Sequence, residues 1–302
     1  MIYVLATTFT CLISYFLFPT SLNISRMAGA IDYPSSRKSH ITPTARGGGL
    51  TFFIAFSIIL LMSPIIPSYK IPLLFGGITI FVVGFLDDTL SLSPFSKLAG
   101  QFLAISVYFF TSELLGYNIS IFQSILSSIW IIFITNAVNI IDGLDGLASG
   151  VCSSEAMCLA VMSFFFENNN VFLCSILLLG AILGFIPRNF PKAKIFMGDC
   201  GALFLGFTLA VLSSRLVIES NNIIYFFSIM LVFRIPTYDT NISIIRRLIH
   251  RKNPFKADKE HLHHLLIKHG FTKECATLAI VTVSLFFGFL GIIISLASLN
   301  VN

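Results

Sequence analysis

The sequence contains few charged residues: Asp, Glu, Lys and Arg make up 11% of its 302 residues, whereas hydrophobic residues make up 56%. Soluble domains contain about 25% charged residues, so this composition argues against a water-soluble globular protein. The mean hydropathy of +0.89 agrees with this reading. We therefore predict an integral membrane protein that crosses the bilayer several times.

Three further features are absent from the sequence. No basic residue precedes the first apolar run, residues 2–22, and its first cation, Arg26, follows it; a cleavable signal peptide has the opposite order, so we predict a retained helix with an external N-terminus. The six cysteines show no paired spacing, which argues against a disulfide framework. Neither a GxxxxGK[ST] motif nor a soluble nucleotide-binding domain is evident, which argues against an ATP-driven pump.

Runs of about 20 apolar residues, the length that spans a bilayer, recur along the whole chain with short connectors. The pattern predicts an all-α polytopic membrane protein with about ten transmembrane helices, folded as one domain over residues 1–302. We place the helices at residues 2–22, 48–66, 71–86, 98–115, 119–138, 147–166, 171–186, 202–218, 223–249 and 276–296.

Charged residues are distributed unequally between the two sets of connectors. With an external N-terminus, the cytoplasmic connectors hold 17 of the 19 Lys and Arg residues, all eight Asp and all six His; Lys70 and Arg215 lie elsewhere. The positive-inside rule explains the bases but not the acids. We therefore predict one polar site at the cytoplasmic face, and no comparable cluster at the other. The five loops that build it are residues 23–46, 87–97, 139–146, 187–199 and 234–273.

The most informative stretch is TNAVNIIDGLDGLASG, residues 135–150. Side chains three residues apart are neighbours on a helix, and Gly143 and Gly146 indicate that the helix ends or loosens here, so polar groups could converge on a small cation. The alternative is a polar loop in which Asn, Asp and Gly only form turns. The polar side chains recur at every third position: Asn136, Asn139, Asp142 and Asp145.

Two other loops place carboxylates at the ends of apolar runs. Asp87 and Asp88 follow FVVGFL directly, and because adjacent helical residues point about 100° apart, we expect different roles, one as metal ligand or base and one structural. Asp199 lies between two glycines where an apolar helix begins. A carboxylate there is costly unless it binds a cation or caps the helix.

Basic residues in the same loops are suited to phosphate. In loop one they are followed by three glycines, Gly47 to Gly49, that would allow close backbone approach at the start of a helix; the alternative is a basic loop that sets topology. Lys97 is either a phosphate ligand or a lysine that extends to the membrane interface. The basic residues of loop one are Arg37, Lys38, His40 and Arg46.

Three histidines, His261, His263 and His264, cluster in the last loop. A zinc site is disfavoured because no thiolate lies nearby and the spacing is atypical. Donation to phosphate oxygens fits better, and a solvated basic loop is the remaining alternative. Together the loops offer cations that attract phosphate and carboxylates that repel it. A divalent cation between them, Mg²⁺ with Mn²⁺ as the alternative, would reconcile the two and indicates phosphoryl chemistry at a membrane surface.

The motifs resemble those of one family over nearly the whole chain: the polyprenyl-phosphate N-acetylhexosamine-1-phosphate transferases, which include WecA and the phospho-MurNAc-pentapeptide transferase MraY. The final motif, with PFKAD before HLHH, is similar to that of the WecA and O-antigen-initiating branch. In family order the matching stretches are RKSHITPTARGGG, GFLDD, NAVNIIDGLDGL, FMGDCG and NPFKADKEHLHH.

The resemblance implies a single transmembrane catalytic domain that transfers N-acetylhexosamine 1-phosphate, such as GlcNAc 1-phosphate, from a UDP-sugar to undecaprenyl phosphate and releases UMP. It implies a bacterial inner-membrane enzyme with a cytoplasmic site. Its partners would be membrane lipids and not nucleic acid, and the resemblance leaves open whether the protein forms a homodimer. The implied roles are Asn139 and Asp199 for Mg²⁺, Asp87, Asp88 and Asp142 for catalysis, Leu144, Asp145 and Phe196 for uridine, and Lys97, His261, His263 and His264 for phosphates.

Two alternatives stay open at this point. A transporter or flippase of lipid-linked sugars would use one-sided aspartates for coupling, although transporters generally place such charges near the middle of the membrane. Within the transferase reading, direct attack by the lipid phosphate and a two-step route through an aspartyl intermediate are both compatible with the motifs.

Overall fold

The computed structural model of the protein describes residues 2–34, 42–249 and 261–299. Within these ranges the chain forms 13 α-helices and a two-stranded antiparallel sheet of β1 (Ile31–Asp32) and β2 (Thr44–Ala45). The helices are α1 (Ile2–Phe16), α2 (Phe18–Met27), α3 (Gly49–Met62), α4 (Pro67–Leu90), α5 (Pro94–Leu114), α6 (Ile121–Ile141), α7 (Leu147–Phe165), α8 (Asn169–Asn189), α9 (Gly198–Ser220), α10 (Ile223–Val232), α11 (Arg234–Ile249), α12 (Leu262–Lys268) and α13 (Lys273–Leu299).

The helices confirm a polytopic membrane protein. In the described part of the chain, six helices are long and apolar enough to cross a membrane, namely α4, α6, α7, α8, α9 and α13, and two bent pairs would raise the number to eight. Each of the ten predicted apolar runs contains a helix. However, α3 has 14 residues, which is shorter than the roughly 20 needed to span the hydrocarbon core. The count of ten crossings therefore stays a prediction.

Two runs predicted as continuous helices are broken in the structure. Residues 2–22 divide into α1 and α2, bent by 43°, and residues 223–249 divide into α10 and α11, bent by 78°. A proline follows each break, Pro19 in the first turn of α2 and Pro236 in that of α11. Proline has no backbone N–H to donate to the preceding turn, so the ladder of helical hydrogen bonds is interrupted at these positions.

Helix α9 is the centre of the bundle. It is apolar around its circumference and almost completely buried, as expected of a helix that is enclosed by others. Helices α4 and α6 pack on it closely. A Cβ at Gly84 of α4 would lie 2.5 Å from the Cα of Cys200 on α9, so only glycine permits this approach. The contact brings the C-terminal end of α4 to the N-terminal end of α9, where the aspartates lie.

The other end of α9 holds a polar network that the sequence analysis did not predict. Arg215 is 1% exposed, and its guanidinium lies 4.0 Å from the ring centroids of both Tyr69 and Tyr117. Its Nε donates to the Tyr108 hydroxyl at 2.6 Å. The hydroxyls of Tyr69 and Tyr117 both donate to the Glu219 carboxylate. The prediction that this end carries no comparable cluster was therefore wrong.

Candidate active site

Asp88 joins the end of α4 to the beginning of α9. Its two carboxylate oxygens accept the backbone N–H groups of Asp199 at 2.9 Å and of Cys200 at 3.0 Å. The first amides of a helix have no partner within the helix, so Asp88 caps α9 from a neighbouring helix. This contact holds the Asp199 side chain at the mouth of the bundle.

Asp87, one residue earlier, points to a different set of groups. One carboxylate oxygen accepts the Leu92 N–H at 2.7 Å, and the other pairs with the Lys97 ammonium. Lys97 also lies 3.6 Å from the Asp199 carboxylate. Lys97 therefore neutralises two acids at the start of α5 instead of extending toward the interface. The adjacent carboxylates have different surroundings, as their positions on a helix predicted.

The polar residues of α6 divide between two environments. The Asn139 amide donates to the Asp199 carboxylate, which links α6 to α9. The Asn136 amide pairs with Gln101 of α5 through two hydrogen bonds of 2.7 and 3.1 Å. Asn136 is therefore a link between helices, and the expectation that all four polar side chains of this stretch converge was wrong. On a regular helix each step of three residues turns the side chain by about 60°, so successive members of such a series face progressively different neighbours.

The loop after α6 is fastened to the loop after α8. Asp145 accepts the Ala193 N–H at 2.9 Å, and Asn189 accepts the Gly146 N–H at 3.0 Å. Asp142 lies at the end of α6, deep among protein atoms although part of its surface is exposed. Burial, followed by the nearby carboxylates of Asp199 and Asp88, raises the pKa of Asp142 to about 7. Both burial and the neighbouring carboxylates therefore oppose the ionisation of Asp142.

Loop one contributes an ion pair and a backbone contact. Arg46 lies 2.8 Å from Asp32 across the small sheet. The amides of Gly48 and Gly49 donate to the carbonyls of Phe196 and Met197 at 2.9 Å. These two amides are engaged by the protein and do not supply the predicted phosphate contact. Arg37, Lys38 and His40 lie outside the described residues.

The three predicted histidines have three different neighbours. His264 lines the cavity described below. The Nε2 of His263 occupies the space that a Cβ on Gly143 would need, so the histidine segment packs directly on the α6–α7 loop. Burial and the neighbouring His264 lower the pKa of His263 to about 4. His263 is therefore neutral at pH 7, and can donate one ring N–H to a phosphate but cannot act as a cation.

These loops enclose a cavity of about 350 Å³ at one end of the bundle. All five predicted loops contribute to its lining, and the lining residues predicted for metal, nucleotide and catalysis come from three of them. Four other predicted residues surround it through contacts with lining residues: Asp87 and Lys97 with Asp199, His263 with Gly143, and His261 with the His264 ring. The predicted residues that line the cavity are Asp88, Asn139, Asp142, Leu144, Asp145, Phe196, Asp199 and His264, together with Arg46.

Three residues of this region were missed in the sequence analysis. Asp32 lines the cavity and pairs with Arg46. Asn189 also lines it and is 3% exposed, with its amide donating to the Ile195 carbonyl. Asp239 binds His261 at 2.8 Å. The one-sided distribution of acids was the available signal for the two aspartates, whereas the single Asn189 gave none.

The donor groups in the cavity suit a hard divalent cation. Among the described residues, no three His, Cys, Asp or Glu side chains form a ready-made metal cluster. Mg²⁺ does not need one, because it keeps several waters and takes one or two protein carboxylates together with substrate phosphates. Asn139 and Asp199 are in contact at the cavity wall, and their oxygens could serve this role. The crowded carboxylates around Asp142 explain why a cation would be held there.

Comparison with known proteins agrees with this geometry. The glycosyl transferase family 4 profile matches residues 70–217. A Bacillus subtilis protein described as a probable undecaprenyl-phosphate N-acetylglucosaminyl 1-phosphate transferase is 32% identical over 292 residues, which cover 93% of this chain and 82% of that protein. The chain belongs to the polyprenyl-phosphate N-acetylhexosamine-1-phosphate transferase family. The family predicted from the motifs is thereby confirmed.

Other members of this transferase family are similar over comparable lengths. The undecaprenyl-phosphate alpha-N-acetylglucosaminyl 1-phosphate transferase of Thermotoga maritima is 32% identical over 285 residues, covering 93% of this chain and 87% of that protein. A phospho-N-acetylmuramoyl-pentapeptide-transferase of Staphylococcus saprophyticus is 31% identical and covers 97% and 98%. The residues matched by the family profile run from α4 into α9 and contain all the cavity aspartates except Asp32.

Proposed function

We propose that this protein transfers an N-acetylhexosamine 1-phosphate, such as GlcNAc 1-phosphate, from a UDP-sugar to undecaprenyl phosphate and releases UMP. The observation that carries the proposal is one cavity, at one end of an apolar bundle, lined by Asn139, Asp199, Phe196 and Arg46. Hard oxygen donors, an aromatic ring and a cation in one place suit a nucleoside diphosphate donor. The names of the Bacillus subtilis and Thermotoga maritima relatives agree with this reaction.

In this proposal the donor lies between the α6–α7 loop and the start of α9. The Phe196 ring would cover the uracil, with Leu144 and Asp145 beside it. Asn139 and Asp199 would hold Mg²⁺, which withdraws negative charge from the diphosphate. Arg46 would bind a phosphate, held in position by its ion pair with Asp32.

The acceptor phosphate would approach along the apolar surface of the helices, where its polyprenyl chain can remain in the lipid. His264 lines the cavity and would donate to this phosphate. Catalysis of phosphoryl transfer depends mainly on positioning and on charge neutralisation, which these groups supply. The reaction would begin a lipid-linked cell-surface polysaccharide such as O-antigen at the cytoplasmic face of the inner membrane.

Direct attack by the lipid phosphate is the route that we favour. Both oxygens of Asp87 are engaged, by Leu92 and Lys97, and both oxygens of Asp88 accept amides of α9. A nucleophilic carboxylate would have to abandon such contacts. A single in-line displacement inverts the configuration at phosphorus, so a donor with isotopically distinguished oxygens should give inverted product. Retention would instead indicate an aspartyl intermediate.

The test of the reaction follows one phosphorus atom. Purified protein is incubated with undecaprenyl phosphate, Mg²⁺ and a UDP-sugar labelled in its sugar-proximal phosphate. We expect the label in the lipid and UMP as the soluble product, and excess UMP should reverse the reaction. An ordinary glycosyltransferase cleaves between sugar and phosphate, so label recovered in UDP would refute the proposal.

The sugar is identified in the same assay with a panel of UDP-N-acetylhexosamines and UDP-MurNAc-pentapeptide. The proposal requires the hexosamine donors to be used and the pentapeptide donor to be rejected. Preferential use of the pentapeptide donor would move the protein to the other branch, represented by the Staphylococcus saprophyticus relative. The variant Glu113→Gln, which changes an exposed carboxylate at the far end of α5, should use the same donors as the wild-type protein.

A further inference from the structure

Asp239 connects the histidine segment to the bundle. It lies in the second turn of α11, just after the 78° bend, and is 5% exposed. One carboxylate oxygen lies 2.8 Å from the Nδ1 of His261, and the other accepts the Leu262 N–H at 2.7 Å. Both oxygens therefore bind the residues at the start of α12. Ser243, one turn further along α11, places its hydroxyl 3.2 Å from the same Nδ1.

This geometry selects one form of the His261 ring. A carboxylate can only accept hydrogen bonds, so the nitrogen that faces it, Nδ1, carries the proton. In the neutral ring Nε2 is then the nitrogen with the free electron pair. The same arrangement of carboxylate and imidazole orients metal-bound and catalytic histidines in many enzymes.

The His261 ring lies beside the other two histidine rings. The rings of His261 and His263 are nearly parallel, with centroids 6.0 Å apart, and the His263 and His264 centroids are 4.2 Å apart. His263 in turn packs on Gly143. A shift of the anchored end of α12 would therefore move His264 relative to the cavity that it lines.

We propose that Asp239 is a positioning residue of the transferase: its carboxylate fixes the tautomer and orientation of His261 and holds the histidine segment against the α6–α7 loop. This inference rests on the proposed function for its effect on turnover. The contact itself does not depend on that function. Asp239 therefore acts through His261 and does not touch the substrates.

The test uses Asp239→Asn, which keeps the volume and can still accept the Leu262 N–H, but presents an amide N–H₂ to His261. The expected turnover number is lower by about 10- to 100-fold, the usual cost of losing such an orienting carboxylate. The KM for the UDP-sugar and the melting temperature should change little. The matched control is Asn241→Ala on the exposed face of α11, which should resemble wild type.

A double-mutant cycle distinguishes positioning from a general structural role. If Asp239 acts through His261, then Asp239→Asn combined with His261→Gln should be no slower than His261→Gln alone. Multiplied losses in the double variant would overturn the inference. A near wild-type rate for Asp239→Asn would overturn it as well.

A second readout is independent of turnover. With ¹⁵N-labelled histidine, the spectrum of the intact protein should show His261 protonated at Nδ1, and Asp239→Asn should move that proton to Nε2. An unchanged tautomer would refute the proposed role even in an active enzyme. If the wild-type protein releases no UMP, but Asp239→Asn still changes the His261 tautomer, the proposed reaction fails while the positioning contact stands.

Discussion

At the scale of single residues, Asp199 connects three helices through one side chain. Its carboxylate accepts a hydrogen bond from the Asn139 amide and lies near Lys97, while its own backbone N–H donates to Asp88. The backbone contact does not depend on the side chain. Removal of the charge should therefore affect chemistry more than folding.

We predict that Asp199→Asn lowers turnover by about 100-fold or more, because a metal ligand contributes several kcal/mol of charge stabilisation. UMP release is measured over a series of Mg²⁺ concentrations, and the melting temperature should stay close to that of wild type. The metal assignment would be wrong if the variant kept wild-type turnover at limiting Mg²⁺. Glu113→Gln again controls for the loss of a carboxylate.

His263 and Asp142 should give the stability opposite dependences on pH. The pKa of His263 falls from 6.5 in the unfolded chain to about 4 when folded, so the unfolded state binds more protons in this window. Acidification from pH 6.5 to 4 should then cost roughly 3 kcal/mol of stability. The pKa of Asp142 rises from 3.8 to about 7, so protonation of this group favours the folded state as the pH falls.

The measurement is the melting temperature in detergent with EDTA, between pH 7 and pH 4.5. Relative to wild type, His263→Gln should lose less stability on acidification, and Asp142→Asn should lose more. Parallel curves for the wild type and both variants would contradict the assigned environments. Removal of divalent cations is essential because a bound cation would itself lower the pKa of Asp142.

At the scale of elements, α9 has a different function at each end. Asp199 lies in its first turn and Arg215 sixteen residues later, roughly 24 Å along the axis. The Arg215 end ties α9 to α4 through Tyr69, to α5 through Tyr108 and to the α5–α6 connector through Tyr117. We interpret this end as a structural clamp, since these contacts lie far from the cavity.

We predict that Arg215→Met lowers the free energy of unfolding by about 3 kcal/mol, because it removes a buried charged hydrogen bond to Tyr108 and the cation–π contacts with Tyr69 and Tyr117. Thermal unfolding in detergent measures the loss, and UMP release per folded molecule should be nearly unchanged. Lys70→Met, which removes the other basic residue at this end, should have a smaller effect. A large loss of turnover in folded Arg215→Met protein would mean that the two ends of α9 are coupled.

At the scale of the whole molecule, the cavity and the Arg215 clamp define two opposite faces of the bundle. Cys275 is exposed in the first turn of α13, shortly after α12, and Asn118 is exposed in the connector between α5 and α6. We predict that Cys275 faces the cytoplasm. In intact cells a membrane-impermeant maleimide should therefore label it only after the membrane is opened.

The matched reporter is Asn118→Cys in a Cys275→Ser background, which should be labelled in intact cells. The two results together would establish the orientation of the bundle. Labelling of Cys275 from outside intact cells would exclude a cytoplasmic site. The positive-inside distribution of Lys and Arg is the physical basis of the expectation.

Hydropathy and local pattern were sufficient to determine the class of protein and the approximate positions of its long apolar helices, but not the two breaks or α12. Each predicted apolar run contains a helix, because a segment in lipid must satisfy its backbone hydrogen bonds internally and must be apolar along its length. The acids at the ends of these runs were also visible, since a carboxylate is costly there without a partner. The residues that line the cavity therefore came largely from the predicted set.

The pairings between side chains were decided by tertiary structure. Asn136 and Asn139 have the same chemistry, yet one binds Gln101 of α5 and the other Asp199 of α9. Likewise Asp88 caps α9 while Asp87 pairs with Lys97. These choices depend on which face of a helix meets which neighbour. Neighbours such as Gln101 and Asn136, or Asp239 and His261, are far apart in the chain, so local sequence contains no information about their contact.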